Sequence, residues 1–210
     1  MKTVLCFGDS NTWGYISGTG ERFSTSRRWG GIMRKMLGGR YSVIEEGLCG
    51  RTTCFDDPDN AFRSGIEYLA PCLESHAPID VVIIMLGTND LKDKFSLEAS
   101  SVAAGMEKLL ELTEKSCAGR GGVSPKTLII CPPHIAPVTA FDEFTYSHGK
   151  STQLGGHYKA LAEKRGCAFV DASAFITESD LPDGVHLSEE AHLRLGVRAA
   201  KMVKALLSQS

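Results

Sequence analysis

Ser10, Asp183 and His186 are side chains whose types suit nucleophilic acyl transfer, and Gly50 and Asn89 suit the charge that such chemistry creates. A serine hydroxyl is a poor nucleophile at neutral pH unless a base takes its proton. Imidazole, which titrates near neutrality, is the side chain for that task. Asp183 stands three residues before His186 in the loop SDLPDGVH, where it can accept a hydrogen bond from the far ring nitrogen and fix the tautomer. When a serine attacks an ester carbonyl, negative charge appears on oxygen. The backbone N–H groups of Ser10 and Gly50 and the side-chain amide of Asn89 are the candidate donors to it, and a glycine at position 50 lets the backbone approach closely and turn its N–H inward.

For these residues to meet, several strands must end on one rim. Val4–Phe7 reads as a buried strand, and Gly8 permits a sharp strand-to-helix corner that sets Ser10 at a sheet edge. A helix starting there would aim N–H groups and a positive dipole end at a bound ligand. Tyr41–Glu46 is a second strand, running into GLCGRTT. Asp80–Leu86, DVVIIML, is β-branched and continuously apolar, as a central parallel strand buried on both faces should be, and it runs into GTND. Thr127–Cys131 and Cys167–Asp171 complete five strands. Helical spacing predicts helices over Trp29–Leu37, Phe62–Ser75 (broken by Pro71), Ser96–Cys117, Lys150–Arg165 and from Ser188 to the C-terminal region. Strands alternating with helices make a doubly wound α/β/α sandwich, and in that topology the carboxyl ends of all strands share one rim. Ser10 follows strand one, Gly50 strand two, Asn89 strand three, and Asp183 with His186 strand five.

Composition narrows the alternatives. A chain of 210 residues fits one domain, residues 1–210, and can bury a sizeable core. A formal charge of −2 and no basic cluster give no footprint for nucleic acid. No apolar run is long enough for a membrane span, and none near the start suits a signal peptide. Seven cysteines without a C-x-x-C pair argue against a disulfide framework or zinc ribbon; they read mostly as small buried hydrophobes in a reducing, cytoplasmic setting.

Each motif also has a plainer reading. Asp183-Gly184 after Pro182 is a turn signal, Asn89-Asp90 suits an Asx turn, and Ser10 suits an N-cap. Asp9, Trp13, Cys49 and Val185 are candidate pocket walls by their adjacency to the chemistry. His76, His134, His148, His157 and His192 lack matched partners and read as surface or packing residues. Asp56-Asp57 has no histidine cluster beside it, so no metal is expected. A flavodoxin-like module cradling a phosphate or flavin on GDSNT is the competing class, and it leaves Asn89, Asp183 and His186 without a task.

FGDSNTWG, GLCGRT, LGTND and DGVH, in that order and spacing, resemble the four signature blocks of the GDSL, or SGNH, hydrolase family. The resemblance spans nearly the whole chain. It implies a flavodoxin-like three-layer α/β/α fold with a five-stranded parallel sheet, Ser10 as nucleophile, Gly50 and Asn89 as oxyanion donors, and Asp183 and His186 as the rest of a triad. VIEEGLCGRTT and DVVIIMLGTND look most like the bacterial arylesterase and perhydrolase branch, which implies a small ester substrate, no cofactor, and a homo-oligomer. A deacetylase of acetylated carbohydrate, or a silent relative binding one, are further members of that range. Asn11 stands where the family's eponymous leucine would be, a departure expected to touch local packing only. Gly14–Arg28 and His134–Gly149 align with nothing; they are the expected walls of the acyl and alcohol pockets, and the second is a candidate lid or contact surface.

Overall fold

Alternate residues of the first strand face opposite ways, and both directions are apolar. Val4 and Cys6 join one buried cluster while Leu5 and Phe7 join another, so the sheet must be covered on both sides. In the computed structural model, which describes residues 1–208, five strands do this: β1 (Lys2–Gly8), β2 (Tyr41–Gly47), β3 (Val81–Met85), β4 (Lys126–Cys131) and β5 (Ala168–Asp171). All are parallel, in the order β2-β1-β3-β4-β5.

Six helices form the outer layers: α1 (Ser10–Trp13), α2 (Trp29–Leu37), α3 (Gly65–His76), α4 (Ala99–Lys115), α5 (His148–Arg165) and α6 (Glu189–Ser208). Trp29 and Met33 of α2 and Leu195, Ala199 and Val203 of α6 cover Val4, Cys6, Val81, Ile83 and Met85. Leu69 and Leu73 of α3, Val102, Met106 and Leu109 of α4, and Leu154 and Tyr158 of α5 cover Leu5, Phe7, Val82 and Ile84. Burial of each Val, Leu, Ile, Phe or Met among them contributes about 1.5–3 kcal/mol relative to exposure. The predicted three-layer sandwich is thus the observed one. No helix among the described residues is long and apolar enough to cross a membrane.

Three local expectations change. Pro71 does not break α3: it lies on the exposed face, as does Glu67 one turn earlier, whose carbonyl lacks a helical donor from the proline. Phe62, expected inside that helix, precedes it with φ of 62° and is 85% exposed. Of the seven cysteines, all free, only Cys6, Cys72 and Cys131 are buried, so most are not core hydrophobes.

Order 2-1-3-4-5 places the reversal of strand winding between β1 and β3. The crevice outside their carboxyl ends is where such sheets bind ligands.

Candidate active site

Ser10 is set by the corner between β1 and α1. A Cβ on Gly8 would lie 2.1 Å from Thr12 Oγ1 and 2.8 Å from the Met85 carbonyl. Glycine is needed there for close approach of α1 and β3, not for a positive φ. Asp9 caps the turn, its Oδ1 accepting from the Asn11 N–H at 2.9 Å. The helix is only four residues long, so the expected dipole reduces to individual N–H groups, that of Ser10 among them.

The second wall comes from the loop after β2. The Leu48 N–H donates to the Gly8 carbonyl at 3.1 Å, and the Arg51 guanidinium donates to the Gly8 carbonyl at 2.8 Å and to the Glu46 carbonyl while lying 4.2 Å from the Phe7 ring centroid. Arg51 therefore ties the ends of β1 and β2 together. Gly50 has φ of 80°, a conformation that side-chain-bearing residues rarely adopt, and its N–H donates to no group among the described residues.

The loop after β3 brings Asn89. One hydrogen of its Nδ2 goes to the Arg51 carbonyl at 3.1 Å, which leaves the second hydrogen of that amide for a ligand. Asp90 is fully buried, and its carboxylate accepts from Thr53 N at 2.9 Å and Thr53 Oγ1 at 2.5 Å. The loops carrying Gly50 and Asn89 are joined by these bonds.

Asp183 and His186 arrive on the loop between β5 and α6. Asp183 Oδ1 accepts from the backbone N–H groups of Val185 and His186 at 3.0 and 2.7 Å, and Oδ2 faces His186 Nδ1 at 2.8 Å. His186 Nε2 lies 3.0 Å from Ser10 Oγ, although 176 residues separate the two. Burial opposes ionisation of Asp183, but the hydrogen bonds from the His186 ring and backbone prevail and hold its carboxyl at about 2. An ionised carboxylate only accepts, so Nδ1 carries the proton and Nε2 is left to accept from the serine hydroxyl.

Ser10, Gly50, Asn89, Asp183 and His186, predicted to share one rim, do share it. Of the four predicted pocket walls, Cys49 and Val185 line the cleft above Ser10; burial, with Asp9 nearby, pushes the Cys49 thiol up. Asp9 and Trp13 do not line it. Asp9 is 1% exposed, beneath the serine, with Oδ2 unpartnered, and burial raises its carboxyl to about 6 against the Asn11 N–H and the His186 charge. Trp13 turns away toward Arg22, whose guanidinium lies 5.1 Å from its ring.

The cleft holds about 160 Å³. Its other walls are residues that sequence reasoning did not name. Tyr15 packs on the His186 ring at 4.2 Å and Phe141 meets it edge-on at 5.5 Å. Lys92, paired with Glu143 at 2.9 Å, sits over Phe144. Tyr15 lies in the 14–28 loop and the others, save Lys92, in 134–149, the two stretches expected to wall the pockets. The second stretch also clamps the histidine loop, through Ala136 N to the Gly184 carbonyl and Ala140 N to the Asp183 carbonyl. Among the remaining histidines, His192 is fully buried, its ring accepting from Trp29 N, and burial keeps it neutral down to about 3. His76 is not partnerless: Glu46 lies 2.8 Å from its Nε2.

A nucleophile bonded to a base and a base bonded to an orienter, in a cleft that Gly50 and Asn89 also line, make an arrangement competent for acyl transfer. The sequence profile of the GDSL-like lipase/acylhydrolase family matches residues 6–194. Among solved structures, a carbohydrate acetylesterase from Sinorhizobium meliloti is 42% identical, with a TM-score of 0.93 over 98% of this chain and 100% of that one. An aryl esterase of M. smegmatis is 40% identical with the same TM-score and coverage, and a putative arylesterase from Agrobacterium tumefaciens str. C58 is 38% identical at 0.90, again over 98% and 100%. No curated protein matches the chain.

Proposed function

Because this chain belongs to the GDSL-like lipase/acylhydrolase family and is a carboxylic ester hydrolase, we propose that it cleaves short-chain acyl esters, acetyl esters foremost, through an acyl-enzyme on Ser10. The observation that carries this reading is the continuous row Ser10 Oγ, His186, Asp183, with contacts of 3.0 and 2.8 Å, opening on a cleft of about 160 Å³. That volume is below the range usual for drug-sized ligands and favours a small acyl group.

In this mechanism His186 Nε2 takes the Ser10 proton as Oγ bonds to the ester carbon, and Asp183 stabilises the imidazolium. The charge on the former carbonyl oxygen is received by the N–H groups of Ser10 and Gly50 and the free Asn89 amide hydrogen. Collapse expels the alcohol, which takes the proton from His186. Water then gives its proton to the same nitrogen, attacks the acyl carbon and releases the acid with Ser10 restored. None of these steps draws on a cofactor. This reading gives Asn89, Asp183 and His186 a common task, which a flavin or phosphate module would not.

Acyl transfer to an alcohol or peroxide is a second outcome of the same intermediate. Tyr15, Phe141 and Phe144 favour it, because aromatic walls around His186 limit the water reaching the acyl carbon. Hydrolysis of an activated acetyl ester by wild type, Ser10→Ala and His186→Ala tests the first reading, and a loss of at least roughly a thousandfold in kcat is expected for each variant. Product partitioning with added alcohol tests the second; acid as sole product at every alcohol concentration removes it.

A further inference from the structure

A second group of reactive side chains lies between β2 and α3. Glu46 is the penultimate residue of the strand, and Cys72 and His76 stand four apart on the helix, hence on one face. A carboxylate oxygen, the thiol sulfur and a ring nitrogen of these three lie within 4.8 Å of one another. Nothing in the ester chemistry uses them.

We propose that Glu46, Cys72 and His76 form a site for a thiophilic divalent cation of the zinc class, with water as the fourth ligand. The donor set selects the metal. Calcium and magnesium take oxygen shells, whereas one sulfur, one imidazole nitrogen and one carboxylate suit zinc or cobalt. Ligand atoms at zinc bond lengths in a tetrahedron stand about 3.3–3.8 Å apart, so donor atoms already within 4.8 Å of one another need close by only about 1–1.5 Å. Glu46 Oε1 and His76 Nε2 are already 2.8 Å apart, a contact that opens slightly to admit the ion.

Charge favours the exchange. The Cys72 thiol gives its proton to solvent and its sulfur bonds the metal, leaving thiolate and carboxylate as two negative ligands for a double positive charge. A cation in the proton's place offsets the carboxylate–thiolate repulsion. The Arg51 charge, held nearby by the Gly8 and Glu46 carbonyls and the Phe7 and Tyr68 rings, opposes a cation, and the two negative ligands outweigh it. Cys72 is buried, whereas the side chains of Glu46 and His76 are partly exposed and open the site to solvent.

The test is titration of chelator-treated, untagged protein with Co²⁺, followed by absorbance. A single equivalent should give the near-ultraviolet thiolate-to-cobalt band and the intense visible bands of tetrahedral cobalt, and Zn²⁺ should displace them. Cys72→Ser should abolish the near-ultraviolet band, and His76→Ala should weaken binding by at least roughly tenfold, with far-ultraviolet circular dichroism as the folding control. Absence of the band in the wild type overturns the proposal, as does its survival in Cys72→Ser. Should Cys72→Ser not fold, unchanged affinity in His76→Ala, a half-buried position, is sufficient to overturn it.

Discussion

Asn11 and Leu187 are hydrogen-bonded across 176 residues of chain: the Asn11 Oδ1 accepts the Leu187 N–H at 2.9 Å. The same amide donates through Nδ2 to the Val185 carbonyl at 3.2 Å. One side chain beside Ser10 thereby grips the backbone on both sides of His186. This is more than the packing difference expected of an asparagine at the family's leucine position. Asn11→Leu restores the family's residue but leaves a buried N–H and a buried C=O unpaired, at a cost of about 1–3 kcal/mol for each such group. The expected result is a lower Tm together with a kcat reduced by about tenfold, as His186 loses its register with Ser10. A variant with unaltered kcat and unaltered Tm would show that the loop holds itself.

Asp183→Asn tests the tautomer. Oδ1 of Asp183 faces two backbone N–H donors, so an asparagine must keep its oxygen there and turn its NH₂ toward His186 Nδ1. That nitrogen then has to accept, the proton moves to Nε2, and the base facing Ser10 is lost. A fall of about 10³–10⁴ in kcat, with KM nearly unchanged and the protein folded, is expected. Activity within tenfold of wild type would mean that proton removal from Ser10 does not depend on this pair.

What sequence reading reached, and what it did not, follows from how local each feature is. The strand β3 is apolar at every position and the motifs after β1, β2 and β3 sit directly at strand ends, so fold and rim could be placed together from short windows. Asp183 and His186 lie three apart, and their mutual bond is a local one. Tyr15, Phe141 and Phe144 are different: their position over the serine depends on loops without periodicity, fixed by distant contacts such as Ala140 N to the Asp183 carbonyl. Trp13 and Asp9 fall outside the cleft for a related reason, since adjacency in sequence does not say which way a side chain turns in a one-turn helix or at its cap. The Glu46–His76 contact joins a strand to a helix and left no local mark.

Asp90→Ala addresses how the two oxyanion loops are held. The Asp90 carboxylate receives both the backbone N–H and the hydroxyl of Thr53, while its neighbour Asn89 is bonded to the Arg51 carbonyl in the same loop. Removing the carboxylate orphans the Thr53 N–H and leaves the Asn89–Arg51 bond to hold the Gly50 and Asn89 segments together without it. Activity should fall by about 10–100-fold, chiefly in kcat, because the donors serve the transition state. If Asp90 acts only on stability, kcat at low temperature will equal that of wild type while Tm falls. Equality there would exclude a positioning role.

The Asp9 carboxyl has its own signature in stability. It is wholly buried with one oxygen unpartnered, and burial sets it at about 6 in the folded protein against about 3.9 for an unfolded aspartate. Between those values the native state binds more protons than the unfolded one. Its stability therefore falls as pH rises through this window, and the deficit is complete above the folded value. Asp90, raised to about 6 by burial and in small part by Asp9 itself, titrates in the same range and adds to the slope. Asp9→Asn keeps an oxygen for the Asn11 N–H and removes the charge. The variant should gain on the order of 2 kcal/mol over wild type at pH 8 and next to nothing below pH 4. Urea denaturation of both proteins at pH 4, 6 and 8 measures this. A difference independent of pH would mean that Asp9 does not hold its proton near neutrality and that its carboxylate is solvated or paired from below the serine.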